Sequence, residues 1–155
     1  MSRLNCICID KSQQSAKAFD WYVANHHREG DVVGLIHIHQ MPQLPSMGLM
    51  AGSIPITEDY HHSLKKSVSE SLDIVEKFVA RCRDELKCEH KVLGKESHHS
   101  PGQLICEIAE SNNADVIVIG QRGLSSFSRA LLGSTSDYVL HHAECTVIVV
   151  PNKEK

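Results

Sequence analysis

The sequence predicts an α/β fold: an open, doubly wound five-stranded parallel sheet with helices on both faces. Two observations predict it. Five short apolar runs rich in β-branched residues recur along the chain, and helical periodicity fills the stretches between them. Runs such as VIVI and VIVV are apolar at every position, which suits strands covered on both sides rather than strands with one wet face. The order β-α-β-α-β-α-β-α-β then calls for right-handed crossovers.

The strands are expected at 4–9 (LNCICI), 32–38 (VVGLIHI), 90–94 (HKVLG), 115–120 (DVIVIG) and 146–150 (TVIVV). A first helix over 15–27 carries Ala16, Phe19 and Val23 at helical spacing. The longest stripe is Leu64, Val68, Leu72, Val75, Val79, Cys82 and Leu86, which steps by four or three and marks an amphipathic helix of about eight turns. Thr57 followed by Glu58 and Asp59 suits its start, through a capping hydroxyl and carboxylates near the positive end of the dipole. Ser100-Pro101 opens a third helix that Asn112-Asn113 closes, and a fourth runs from about Ser134 to His142. One irregular stretch, HQMPQLPSMGLMAGSIPI at about 39–56, interrupts the pattern. A loop of that length fits a lid, a binding loop or a mobile insertion, and equally a disordered surface insertion.

With 155 residues, 41% of them apolar, the chain is long enough for one domain spanning 1–155 with a sizeable core. A net charge of −3, from 16 basic and 19 acidic residues, gives no cationic surface for nucleic acid. No apolar run approaches the roughly 18 residues that cross a bilayer, and the N-terminal apolar stretch is too short for a signal peptide. The six cysteines show no CxxC and no scaffold spacing, and four of them sit inside apolar patterns. These features lead to an expectation of a soluble, reduced, cytoplasmic protein without membrane contact.

The window GQRGLSSFSRALLGSTSDYVL, from Gly120, concentrates three of the chain's nine glycines beside two arginines and a run of hydroxyls. Gly120 closes the fourth strand, at the carboxyl edge where open α/β sheets bind ligands. Gly120 and Gly123 are able to take positive φ and let a ligand approach the backbone. Gly133-Ser134-Thr135 begins a helix whose N–H groups and dipole favour an anion, with hydroxyls and Arg122 as further donors. Together these make a two-part phosphate cradle, although three loop glycines taken alone fit plain turns as well. Neither a Walker A sequence nor GxGxxG is present.

The full pattern, G-x2-G-x9-G-S directly after DVIVI and ahead of VIVVP, resembles the nucleotide-binding signature of the universal stress protein family, in its ATP-binding subgroup. The start ICIDKS, the second strand GLIHIHQ and the ending HHAECTVIVVP are also similar to that family, so the resemblance covers nearly the whole chain. It implies strand order 3-2-1-4-5 and a homodimer paired through the last strand. It also implies that Asp10 and Ile38 hold the adenine and ribose. Gly120, Gly123, Gly133 and Ser134 would then hold phosphates, with Ile9, Arg122 and Thr135 close by. ATP, or AMP or ADP, with Mg²⁺ is the implied ligand, in a regulatory or protective role in stress response. ESHHSPGQ departs from the family, which usually carries Gly before that proline, and Lys11 stands where small or apolar residues are frequent.

Asp10 has a second reading, as a helix cap or loop carboxylate, though Ser12 is the better cap. Eleven histidines, four adjacent pairs among them, raise the question of metal. Neighbouring side chains point apart, no HExxH appears, and no metal site is expected. His37 and His39 share one face of the second strand, as Cys6 and Cys8 do of the first, which leaves a cross-strand Cys/His site to examine. Ser125, Ser126 and Ser128 lack a recognisable base, and no catalytic residue is assigned. Arg122 or Arg129 with Mg²⁺ would support at most a slow ATPase acting as a nucleotide switch. A nucleotide-free dimer that binds only protein partners is the third reading, and the glycine set argues against it.

Overall fold

The computed structural model describes residues 2–42, 58–97, 100–121 and 132–152. Five parallel strands run in the order β3-β2-β1-β4-β5, with β1 at Leu4–Cys8, β2 at Val32–Gln40, β3 at His90–Ser97, β4 at Val116–Gly120 and β5 at Thr146–Val150. Helices α1 (Gln13–Asn25), α2 (Glu58–Arg81), α3 (Pro101–Ser111) and α4 (Ser134–His142) make the connections. The fold class is therefore the one the sequence predicts.

Both faces of the sheet are covered, which is why the inner strands are mostly apolar: all five residues of β1 are buried, Asn5 being the one polar side chain among them. One core layer joins Ile7, Leu35 and Val118 to Phe19 and Tyr22 of α1 and Phe78 of α2. The other joins Cys6, Cys8, Ile36 and Ile117 to Ile105 of α3 and Val139 of α4. This alternation removes the cross-strand Cys/His site. Cys8 aligns with Ile36 in the β1–β2 register, so Cys6 and Cys8 face α3 and α4, whereas His37 and His39 face α2.

Several boundaries differ from the sequence expectation. Strand β3 continues to Ser97 and β2 to Gln40, because each residue from Val33 to Gln40 has a partner in β3. The polar tail KES gave no strand signal, since an edge strand has no need of an apolar pattern. Residues 39 and 40, expected to open the irregular loop, are thus strand; 43–57 lie outside the described residues, Thr57 with them. Helix α1 starts two residues earlier than expected, at Gln13, capped by Ser12, whose Oγ accepts from the N–H of Ser15 at 3.2 Å. In α3 Ser100 stands at the N-cap without a side-chain capping bond, and Asn112 is the C-cap.

The stripe on α2 is the main correction. Val68 is 39% exposed and Leu72 65% exposed, so the upper half of this row does not point at the sheet, while Val75, Val79, Cys82 and Leu86 of its lower half pack against the core as expected. The inward row is Ser67, Ser71, Ile74, Phe78 and Cys82, with hydroxyls in its upper half, and a search for apolar periodicity slides past it to the neighbouring row. The helix also ends earlier, giving way at Cys82–Leu86 to a single π turn.

Candidate functional site

A cleft of about 540 Å³ opens at the carboxyl ends of β1, β2 and β4, walled by α2 on one side and by the start of α4 on the other. Strand order explains its position. Chain crossovers leave β1 to opposite sides, and the connections part above β1 and β4. Seven of the nine residues singled out from the sequence border this cleft: Ile9, Asp10, Ile38, Gly120, Gly133, Ser134 and Thr135. Arg122 and Gly123 lie outside the described residues.

The β1–α1 turn is held by a compact set of polar bonds. Asp10 Oδ1 accepts from the N–H of Ser12 at 2.8 Å and from the Ser12 hydroxyl. Ser15 Oγ donates to the Asp10 carbonyl at 2.8 Å and accepts from the Asp10 N–H at 3.2 Å. Asp10 therefore borders the cleft and orders the turn below it as a loop carboxylate. The cap itself is Ser12.

Gly120 has a different reason from the one expected. Among the described glycines only Gly30 has positive φ. A Cβ on Gly120 would lie 2.5 Å from the carbonyl oxygen of Gln14, so the missing side chain lets the first turn of α1 pack directly on the end of β4. Gly133 is the N-cap of α4 with φ −64° and ψ 149°, extended backbone open to most residues. Its carbonyl accepts from the Asp137 N–H and the Ser136 hydroxyl, both at 2.9 Å. The N–H groups of Ser134 and Thr135 belong to the first turn, where an α-helix offers them no internal partner.

Sequence reasoning missed the α2 wall. His37 Nδ1 lies 3.0 Å from the Ile9 carbonyl, which only accepts, so Nδ1 carries the proton. In the neutral ring Nε2 then accepts from Ser71 Oγ at 2.8 Å. One step up, His39 Nε2 meets Ser67 Oγ at 2.8 Å. Residues two apart on a strand and four apart on a helix each share a face, so two matched His–Ser bonds stitch α2 to β2 at the mouth of the cleft. That matching of spacings was present in the sequence as a detectable signal. Glu70, between the two serines, also borders the cleft.

The universal stress protein family model matches residues 5–151. The chain belongs to the universal stress protein family. A universal stress protein of Synechocystis sp. is 41% identical over 85 residues, covering 55% of this chain and 76% of that protein. For two further universal stress proteins, of Synechocystis sp. and Arabidopsis thaliana, the match spans 54% and 60% of their own lengths. Among solved structures, the universal stress protein UspA from Lactobacillus plantarum superposes with a TM-score of 0.71 at 21% identity, covering 96% of this chain and 97% of that one. A family protein from Arabidopsis thaliana, solved with AMP bound, gives 0.67 at 19% identity, covering 97% and 92%. These likenesses carry the universal stress protein fold, strand order included. No helix among the described residues is long and apolar enough to cross a membrane.

Proposed function

We propose that this universal stress protein, acting as one domain, binds an adenine nucleotide in the cleft as a regulatory or protective module of the stress response. The observation that carries the reading is the convergence of the seven described candidate residues on one cavity of ligand size at the carboxyl edge. Support also comes from the AMP bound to the Arabidopsis relative.

Strand order suggests how the ligand lies. Neighbouring strands are about 4.8 Å apart, so the line from β4 across β1 to β2 spans roughly 10 Å. Phosphates belong at the β4 end, against Gly120 and the α4 N-terminus with Ser134 and Thr135, where helix N–H groups favour negative charge. Gly123 and Arg122 are assigned phosphate contacts as well, on the sequence motif alone, since both lie outside the described residues. The ribose and base then lie toward Ile9, Asp10 and Ile38. ATP would bring its Mg²⁺ with it, a cation usually held largely by the phosphates themselves. The same proposal includes a homodimer through β5, an edge strand with Leu140 exposed on α4, the helix leading into it.

The test is direct. Purified protein is denatured and the released small molecules are identified by mass spectrometry. An adenine nucleotide near one per chain supports the reading; protein that neither carries nor takes up a nucleotide overturns it.

A further inference from the structure

The junction between α2 and β3 lies at the opposite end of the sheet from the cleft, and it holds two of the six cysteines six residues apart. Helix α2 widens there into the π turn Cys82–Leu86 and stops at Lys87, whose φ of 49° and ψ of 37° are left-handed. Left-handed backbone is uncommon for a lysine, and it folds the chain back on the last helical turn. Three donors consequently converge on one acceptor. The Cys82 carbonyl receives the N–H of Lys87, the N–H of Cys88 at 3.3 Å and the Cys88 thiol at 3.9 Å.

This is a helix stop of the Schellman kind, widened by one residue through the π turn. Such stops bring the side chain after the left-handed residue onto a side chain of the last helical turn, normally as an apolar contact. Here both members of that contact are thiols. Cys82 is fully buried in the layer beneath α1 and α2, and Cys88 packs against the same layer while keeping partial exposure.

We propose that Cys82 and Cys88 form a reversible disulfide when the protein meets a hydroperoxide, which makes the α2–β3 junction a redox-modification site. The turn sets the Cys88 thiol 3.9 Å from the Cys82 carbonyl, so the two residues are brought together by the backbone; a disulfide asks for Cα atoms about 4.4 to 6.8 Å apart. The two thiols have distinct parts. Burial pushes Cys82 up to about 12, with the neighbouring Cys88 adding to the rise. Burial raises Cys88 too, but a hydrogen bond from the Cys82 thiol works against it. Cys88, the partly exposed one, is the thiol a hydroperoxide reaches first, and the buried Cys82 is the thiol that resolves.

The chemistry balances in two steps. The Cys88 thiolate attacks one oxygen of the hydroperoxide; an S–O bond forms, the O–O bond breaks, and the other oxygen leaves as an alcohol, or as water from hydrogen peroxide. The Cys82 sulfur then attacks the Cys88 sulfenic acid; the S–S bond forms, the S–O bond breaks, and water leaves with the Cys82 proton. Two thiols lose two electrons and one peroxide gains them. Because both thiol values lie above the ordinary range, the rate should climb as pH rises from 7 to 9.

The full-length protein is treated with hydrogen peroxide at pH 8, blocked with a thiol alkylator, and analysed as intact mass and protease fragments. The expected result is loss of two of the six thiols and of two hydrogens in mass, a bridge mapped to Cys82 and Cys88, and full reversal by dithiothreitol. Cys88→Ser should keep its remaining thiols at the same dose. Cys82→Ala, lacking the resolving thiol, should accumulate Cys88 sulfenic and then sulfinic acid. A bridge through the half-buried Cys106 or Cys145, disulfide-linked dimers, or equal over-oxidation of Cys88 in wild type and Cys82→Ala would overturn the proposal.

Discussion

Replacing Gly120 with alanine should damage the fold rather than only the cleft. The added Cβ would sit 2.5 Å from the Gln14 carbonyl oxygen and 2.8 Å from its carbon, against a normal carbon–oxygen approach of about 3.3 Å. Backbone, not a rotatable side chain, is in the way. Helix α1 must therefore retreat by most of an ångström, and it carries Phe19 and Tyr22 into the core with it. Overpacking of this kind costs about 1 to 3 kcal/mol, and a backbone clash belongs at the upper end. For a domain of this size each kcal/mol lowers the melting temperature by about 2 to 4 °C, so a fall of roughly 6 to 12 °C is expected. Thermal unfolding followed by circular dichroism, without nucleotide, is the assay. Gly133→Ala is the control, because its backbone suits any residue and the loss is confined to a poorer cap, about 1 kcal/mol. If Gly120→Ala melts within about 2 °C of wild type, the packing argument is wrong.

Tyr22→Phe should cost about 1 to 3 kcal/mol by denaturant unfolding, because Asn5 is fully buried and its Nδ2 donates to the Tyr22 hydroxyl at 3.1 Å. Asn5 Oδ1 already has no partner among the described residues, so nothing nearby compensates. Asp31→Asn should flatten the acid limb of the stability profile. Burial pushes the Asp31 carboxyl up, yet hydrogen bonds from the Arg3 guanidinium and the Arg28 N–H outweigh it and hold the folded value below the ordinary one. A depressed carboxylate stabilises above its unfolded value, about pH 3.9, and loses that contribution as pH falls through the folded value, so urea midpoints at pH 2 to 6 should converge for wild type and variant only at the acid end. Ile148→Pro should split the proposed dimer in sedimentation by removing a ladder donor from β5, whereas a wild type that is monomeric at micromolar concentration would refute dimerisation.

Much of this structure was readable from periodicity, and the parts that were not have physical reasons. Strands β1 and β4 declare themselves because burial on both faces favours apolar residues, whereas the partly buried β5 is legible from its β-branched run TVIVV. The far ends of β2 and β3 stayed hidden because an edge ladder is held by backbone bonds that tolerate KES. On the upper half of α2 the apolar row and the inward row differ, since hydroxyls of Ser67 and Ser71 replace apolar side chains where the helix meets two histidines. Hydrogen-bonded pairing of that sort leaves no hydrophobic trace. Gly120 was located correctly but for another reason: contact with α1 depends on which helix turn lies beside it in space.

The central claim is nucleotide binding in the cleft, and calorimetric titration of ATP into wild type and Gly133→Val tests it most directly. Valine is compatible with the backbone at 133, so the variant should fold while placing a branched side chain at the proposed phosphate end. The account predicts one ATP per chain in wild type and affinity at least about tenfold weaker in the variant, a difference of about 1.4 kcal/mol. Equal affinity in the two proteins, or no ATP binding by the wild type, would contradict it.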